Sequence, residues 1–122
     1  MVGYVTMGTS DLERAVGFFD ALLGTVGGKQ VMNNDRLVMY AGGDGGMFAI
    51  CKPFDEKTQA GGNGPMVAFT MESNDAVDQF HAKALELGAT DEGAPGARMP
   101  GAYFAYFRDF DGNKFCAFKM GG

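Results

Sequence analysis

The sequence predicts an α+β fold, one domain made of two copies of a βαβββ unit, and three observations predict it. Two stretches carry apolar residues at helical spacing, bounded by residues that start and stop helices. Each is preceded by one short apolar run and followed by others set between glycine-rich turns, the punctuation expected of strands. The halves also repeat. Ala15, Val16, Phe19, Ala21 and Gly27 reappear as Ala76, Val77, Phe80, Ala82 and Gly88, each 61 residues on. Asp44-Gly45, Phe48 and Lys52 reappear as Asp111-Gly112, Phe115 and Lys119, each 67 residues on. Helical matches alone arise easily by chance, but helix and turn matching in the same order indicate a duplication. The step from 61 to 67 is a six-residue insertion, placed in the glycine- and proline-rich stretch from Gly93 to Gly101. The expected organisation is module one over residues 1–58, a connector over 59–65 and module two over 66–122.

The first helix is expected to open at Ser10, which has capping-box spacing to Glu13, with Asp11 adding negative charge to the first turn. Leu12, Val16, Phe19 and Leu23 form its apolar stripe, and Gly24 with Gly27-Gly28 stops it. Asn74 reads as the N-cap of the second helix, Val77, Phe80, Ala84 and Leu87 as its stripe, and Gly88 as its end. Strands are expected at Tyr4 to Gly8, Arg36 to Ala41 and Met47 to Cys51, and at Met66 to Met71, Tyr103 to Phe107 and Lys114 to Phe118. Gln30 to Met32 is a further strand, whose counterpart near Thr90 to Glu92 carries a weak signal. Asp111-Gly112-Asn113 reads as a tight turn in which Gly112 supplies a positive φ.

The bulk composition narrows the partners. A chain of 122 residues suffices for one core, and no run of 18 apolar residues offers a membrane-spanning helix. Met1 to Thr6 has no basic region and no long apolar stretch, so it does not read as a signal peptide. Two cysteines, Cys51 and Cys116, are too few for a disulfide framework, and with nine methionines they suit a reducing cytoplasmic setting. Acidic residues outnumber basic ones by 15 to 10, and the basic ones are scattered singly. Nucleic acid and anionic membrane are therefore poor partners, and a cationic or neutral small molecule is better tolerated.

Several segments together resemble the glyoxalase/bleomycin-resistance/dioxygenase superfamily, also called vicinal oxygen chelate proteins. They are Val5-Thr6-Met7-Gly8-Thr9-Ser10-Asp11-Leu12, Ala76-Val77-Asp78-Gln79-Phe80-His81, Gly93-Ala94-Pro95-Gly96-Ala97-Arg98 and Arg108-Asp109-Phe110-Asp111-Gly112-Asn113-Lys114. The last is close to the Asp-Pro-Asp-Gly-Asn turn of that superfamily, with Phe110 where proline is usual. The resemblance spans nearly the whole chain and implies two βαβββ modules, paired by a pseudo-twofold, that form a curled mixed sheet or half-barrel with the helices outside. It also implies a homodimer, frequently with each cavity shared between chains. Similar proteins place metal ligands, typically His, Gln or Glu, on the first and last strand of each module. The corresponding positions here are Tyr4, Ala49, Met66 and Cys116. None is an imidazole or a carboxylate, so a divalent-metal site and any metal cofactor are not expected.

Alternation along the strands puts Tyr4, Thr6, Met39, Met47, Met66, Ala68, Tyr106 and Cys116 on one face; with Ala49 they form the expected ligand-binding set. Methionine and aromatic side chains there suit a flexible, mostly apolar ligand; the alternative is that they simply fill the barrel. Tyr106, Cys116 and Arg98 are the candidates for chemistry. Similar enzymes place substrate-binding tyrosines where Tyr106 stands, and Arg98 is expected in a flexible loop from which it reaches an anion, or else is a solvated loop charge. Cys116 is either a thiol nucleophile helped by Lys114 or a small apolar pocket residue. His81, the single histidine, is expected at the surface or boundary of the second helix, away from the cavity. The expected function is metal-independent binding of a small molecule. The alternatives are a metal-free lyase- or isomerase-type enzyme using Tyr106, Arg98 or Cys116, and a filled barrel with a structural role.

Overall fold

Asp11 and Ser73 start the two helices. Both have extended backbone, and their side chains accept from the N–H groups of Arg14 at 3.1 Å and Ala76 at 3.0 Å. These bonds satisfy donors that the first helical turn leaves open. The caps therefore sit one residue from those expected. Ser10 instead uses its Oγ to accept from the Gln59 N–H at 3.2 Å, and Asn74 is already helical. The chain is known from a computed structural model that describes residues 1–42 and 45–121. Asp44, one of the residues by which the halves were matched, lies outside the described residues.

The described elements are β1 (Tyr4–Gly8), α1 (Leu12–Gly24), β2 (Lys29–Asn33), β3 (Leu37–Ala41) and β4 (Met47–Cys51), followed by β5 (Val67–Thr70), α2 (Asn74–Glu86), β6 (Thr90–Met99), β7 (Ala102–Arg108) and β8 (Lys114–Met120). They fall into two compact units, Met1–Ala60 and Gly61–Gly122. Each unit is a four-stranded mixed sheet with one helix. The first sheet has the order β1-β4-β3-β2 and the second β5-β8-β7-β6. In each, the first and last strands pair in parallel and the other pairs are antiparallel. Among the described residues, no helix is long and apolar enough to cross a membrane.

Phenylalanine and tyrosine rings join helix to sheet by the same plan in both units. In the first, Phe19 of α1 is fully buried and lies 4.9 Å from Phe48 and 6.5 Å from Tyr40, ring centre to ring centre. In the second, Phe80 of α2 lies 5.7 Å from Phe69 and 6.2 Å from Phe107. Tyr40 stacks on Phe48, and Phe107, 67 residues after Tyr40, stacks on Phe115. Large rings bury much apolar area in few side chains, so they dominate a small core. Tyr40 also donates its hydroxyl to Asp20 of α1 at 2.8 Å.

Strand β6 departs most from expectation. The stretch expected to loop out as an insertion belongs to the longest strand among the described residues, running from Thr90 to Met99. It absorbs its extra residues as register shifts against β7, between Asp91 and Gly93, Gly93 and Gly96, and Ala97 and Met99. Because β6 is the outer strand of its sheet, Pro95 and the glycines disturb a ladder on one side only.

Candidate functional site

Residues directly opposite in a sheet point to the same side, so the strand registers show which expected site residues share a face. In the first unit Tyr4 opposes Met47, Thr6 opposes Ala49, and Met39 opposes Ala49. These five share one face of the sheet. Val38, Tyr40, Phe48 and Ile50 alternate with them and are buried on the α1 side. Ala49 and Met39 are buried, whereas Tyr4 and Thr6 are exposed. In the second unit Ala68 and Tyr106 both oppose Cys116, so these three share the face away from α2. Met66 lies just before β5 and is exposed.

On that second face the chemistry gathers around Tyr106. Phe104 stacks with Tyr106 at 6.1 Å and with Phe118 at 5.7 Å. The Arg98 guanidinium lies 5.6 Å from the centre of the Tyr106 ring and the Lys114 ammonium 5.1 Å from it, both within cation–π range. Arg98 is therefore not on a free loop. It projects from β6, and its Nη2 donates to the Ala94 carbonyl at 2.7 Å. The bulged path of β6, rather than a loop tip, carries it to the ring.

Cys116 is fully buried in the middle of β8. Burial pushes its thiol up to about 11, against the smaller opposing effects of the Ala105 backbone N–H and the charges of Lys114 and Arg98. At neutral pH it is a neutral thiol, and a neutral thiol is a poor nucleophile. Cys51 is half-buried, and its thiol too is raised by burial.

His81 is buried, 4% exposed, at the boundary between α2 and its sheet and not at the open helix surface, the other of the two expected places. Its Nε2 lies 3.1 Å from both the Asp91 Oδ1 and the Tyr106 carbonyl oxygen. A carboxylate and a carbonyl only accept, so Nε2 carries the proton and donates to both. The Asp91 carboxyl is held below the usual range first by the Gly93 N–H and then by His81. His81 is thus a tie among α2, β6 and β7, on the face opposite the Tyr106 ring.

Phe104 and Phe118 were not singled out in the sequence, although each lies two residues from an expected site residue on its own strand, and alternation alone identifies them. In the first unit an open groove of about 670 Å³ runs along α1 and β2–β3, lined among others by Leu12, Val16, Val38, Asp11, Glu13 and Asp35. None of the expected ligand-binding residues lines it.

A divalent ion does not fit the positions that correspond to metal ligands. Tyr4, Ala49, Met66 and Cys116 offer a phenol, a methyl, a thioether and a protonated thiol. Among the described residues, no three His, Cys, Asp or Glu side chains gather closely enough to hold a metal ion. Hard and borderline cations need imidazole nitrogens or anionic donors.

The Glyoxalase/Bleomycin resistance protein/Dioxygenase superfamily profile matches residues 1–117. Among solved structures, a glyoxalase/bleomycin resistance protein from Albidiferax ferrireducens T118 is 38% identical over 97% of each chain, with a TM-score of 0.86. A lactoylglutathione lyase from Agrobacterium tumefaciens is 21% identical over 97% of this chain and 92% of its own, with a TM-score of 0.73. A fosfomycin resistance protein from Mesorhizobium loti is 20% identical over 99% and 92%, with a TM-score of 0.72. The last two likenesses concern the fold alone. No curated protein matches the chain significantly. With its profile matched over residues 1–117 and its two β-α-β-β-β units, this chain belongs to the glyoxalase/bleomycin resistance protein/dioxygenase superfamily.

Proposed function

We propose that this protein binds a small organic molecule without a bound metal ion, at one or other of two sheet faces: that of Tyr4, Thr6, Met39, Met47 and Ala49 in the first module, or that of Ala68, Tyr106 and Cys116, with Met66 just before β5, in the second. One observation carries the reading: Cys116, which the resemblance matches to a metal-ligand position, is fully buried, and burial pushes its thiol up to about 11. Two structural neighbours are named for small organic molecules, lactoylglutathione and fosfomycin. The reading takes the chain as two modules joined through residues 59–65, acting in the cytoplasm as a homodimer. Light scattering at micromolar concentration tests the dimer, and a monomer there removes that part.

The test of metal-free binding is elemental analysis after dialysis, paired with a thermal-shift screen of small molecules before and after chelator treatment. We expect substoichiometric Zn, Ni, Mn and Fe and ligand-induced stabilisation that chelator leaves unchanged. One equivalent of metal retained with loss of ligand response on chelation overturns the reading.

A second reading, a metal-free lyase- or isomerase-type enzyme, is favoured by one feature. Among the described residues the Tyr106 hydroxyl has no hydrogen-bond partner, and two cations stand beside its ring. Such a phenol is free to donate to, or take a proton from, a bound molecule. Turnover that survives Tyr106→Phe and Arg98→Gln unchanged removes this reading.

A further inference from the structure

We propose that the β7–β8 face is a receptor for an aromatic carboxylate, with the carboxylate held between Arg98 and Lys114 and the aromatic body laid against Tyr106, Phe104 and Phe118. This rests on the small-molecule reading above and names the ligand class.

The argument begins with charge. Three cations stand on this face, since Arg108 and Lys114 oppose one another in register and Arg98 reaches the Tyr106 ring. Arg108 is satisfied: its Nε donates to Glu92, and its Nη1 donates to the Gly112 carbonyl at 2.6 Å. Among the described residues, Arg98 and Lys114 have no carboxylate partner. Asp91, on the same strand as Arg98, is turned to His81 and the Gly93 N–H. In a chain with 15 acidic and 10 basic residues, two cations left without a carboxylate at one ring form a local field opposite to the net charge.

The backbone is shaped to hold them there. A Cβ added at Gly93 would come within 2.9 Å of the Tyr106 ring carbon Cδ2 and 3.3 Å of Arg98 Nη2. One added at Gly96 would come within 2.9 Å of Arg98 Nη1. Both glycines thus leave the volume that the guanidinium and the ring occupy. The Ala94 carbonyl takes one Arg98 N–H, leaving others of the planar fork to meet a carboxylate. Two residues along from Tyr106 and Cys116, Phe104 of β7 and Phe118 of β8 stack on one another, an apolar surface beside the charge.

The test uses three probes of one shape, 2-naphthoate, 2-naphthamide and 2-naphthylmethylammonium, with calorimetry on the full chain. We expect 2-naphthoate to bind roughly tenfold or more tightly than the other two, as one charge-assisted contact provides. Arg98→Gln and Lys114→Gln should each weaken 2-naphthoate roughly tenfold, and added salt should weaken it further. Gly93→Ala, which keeps every charge but crowds Arg98 and Tyr106, should weaken it as well. Circular dichroism confirms that each variant is folded. Equal binding of the three probes, or 2-naphthoate binding indifferent to both charge variants, overturns the carboxylate assignment but leaves the small-molecule reading standing. No binding of any probe at millimolar concentration also overturns the assignment, and the small-molecule reading then stands or falls on the separate screen.

Discussion

His81 on α2 donates from Nε2 to the Tyr106 backbone carbonyl at 3.1 Å, while the Tyr106 side chain leaves β7 on the opposite face of the sheet. The same nitrogen reaches Asp91, so one imidazole N–H ties the helix to the bulge of β6 and to the strand that carries the candidate site. Substituting His81→Leu fills similar space but removes this donor from the Tyr106 carbonyl and from Asp91. We expect a loss of about 1–3 kcal/mol in urea unfolding, the cost of an unmatched buried acceptor. His81→Gln, which restores an N–H, should recover part of it. Equal stability of His81→Leu and the parent would show that the bond contributes nothing.

Asp109 predicts a pH dependence of stability. It is 4% exposed, and it accepts from the N–H groups of Asp111 and Asn113 and from the Asn113 amide. Burial nevertheless outweighs these bonds and raises the carboxyl to about 6. The folded value lies above the unfolded value of about 4, so folding favours the neutral form. That contribution is present below about pH 4 and is lost as pH rises through about 6. Asp109→Asn is neutral throughout and keeps an oxygen for the two backbone donors. Relative to the parent it should gain on the order of 2 kcal/mol between about pH 4 and pH 7. A stability difference that stays flat over that range refutes the assignment.

The thiol of Cys116 should be nearly inert. With its value near 11, about one molecule in ten thousand is thiolate at neutral pH, and the side chain is fully buried. In a Cys51→Ala variant, Ellman's reagent should label Cys116 at least about a hundredfold more slowly in native protein than in urea. Labelling at comparable rates would restore Cys116 as a candidate nucleophile.

Gly61 was expected to be part of a plain connector, yet a Cβ added there would lie 2.1 Å from the Gly112 carbonyl oxygen and 2.5 Å from its carbon. Both obstacles are backbone, in the turn where Gly112 itself has φ of +82°. Gly61→Ala should therefore cost about 2–4 kcal/mol in thermal unfolding. Gly64→Ala, whose Cβ meets nothing within 4 Å, is the control and should stay within about 0.5 kcal/mol of the parent. A Gly61→Ala melt that matches the control removes this contact from the account.

The sequence by itself determined the repeated β-α-β-β-β order, the helix stripes and the sharing of faces by Thr6 with Ala49 and by Tyr106 with Cys116. These follow from periods of 3.6 and 2, which are local properties of the chain. Composition likewise settled that no imidazole or carboxylate stands at Tyr4, Ala49, Met66 and Cys116. Only the tertiary structure decided that Gly93 to Met99 is strand rather than loop, because pairing with β7 overrides weak local propensity. It alone buried His81 against Asp91 and Tyr106, partners 10 and 25 residues away, and brought Arg98 and Lys114 within cation–π range of one ring. Side chains distant in sequence meet only where strand register, bulges and helix packing bring them, and no local period in the chain encodes those meetings.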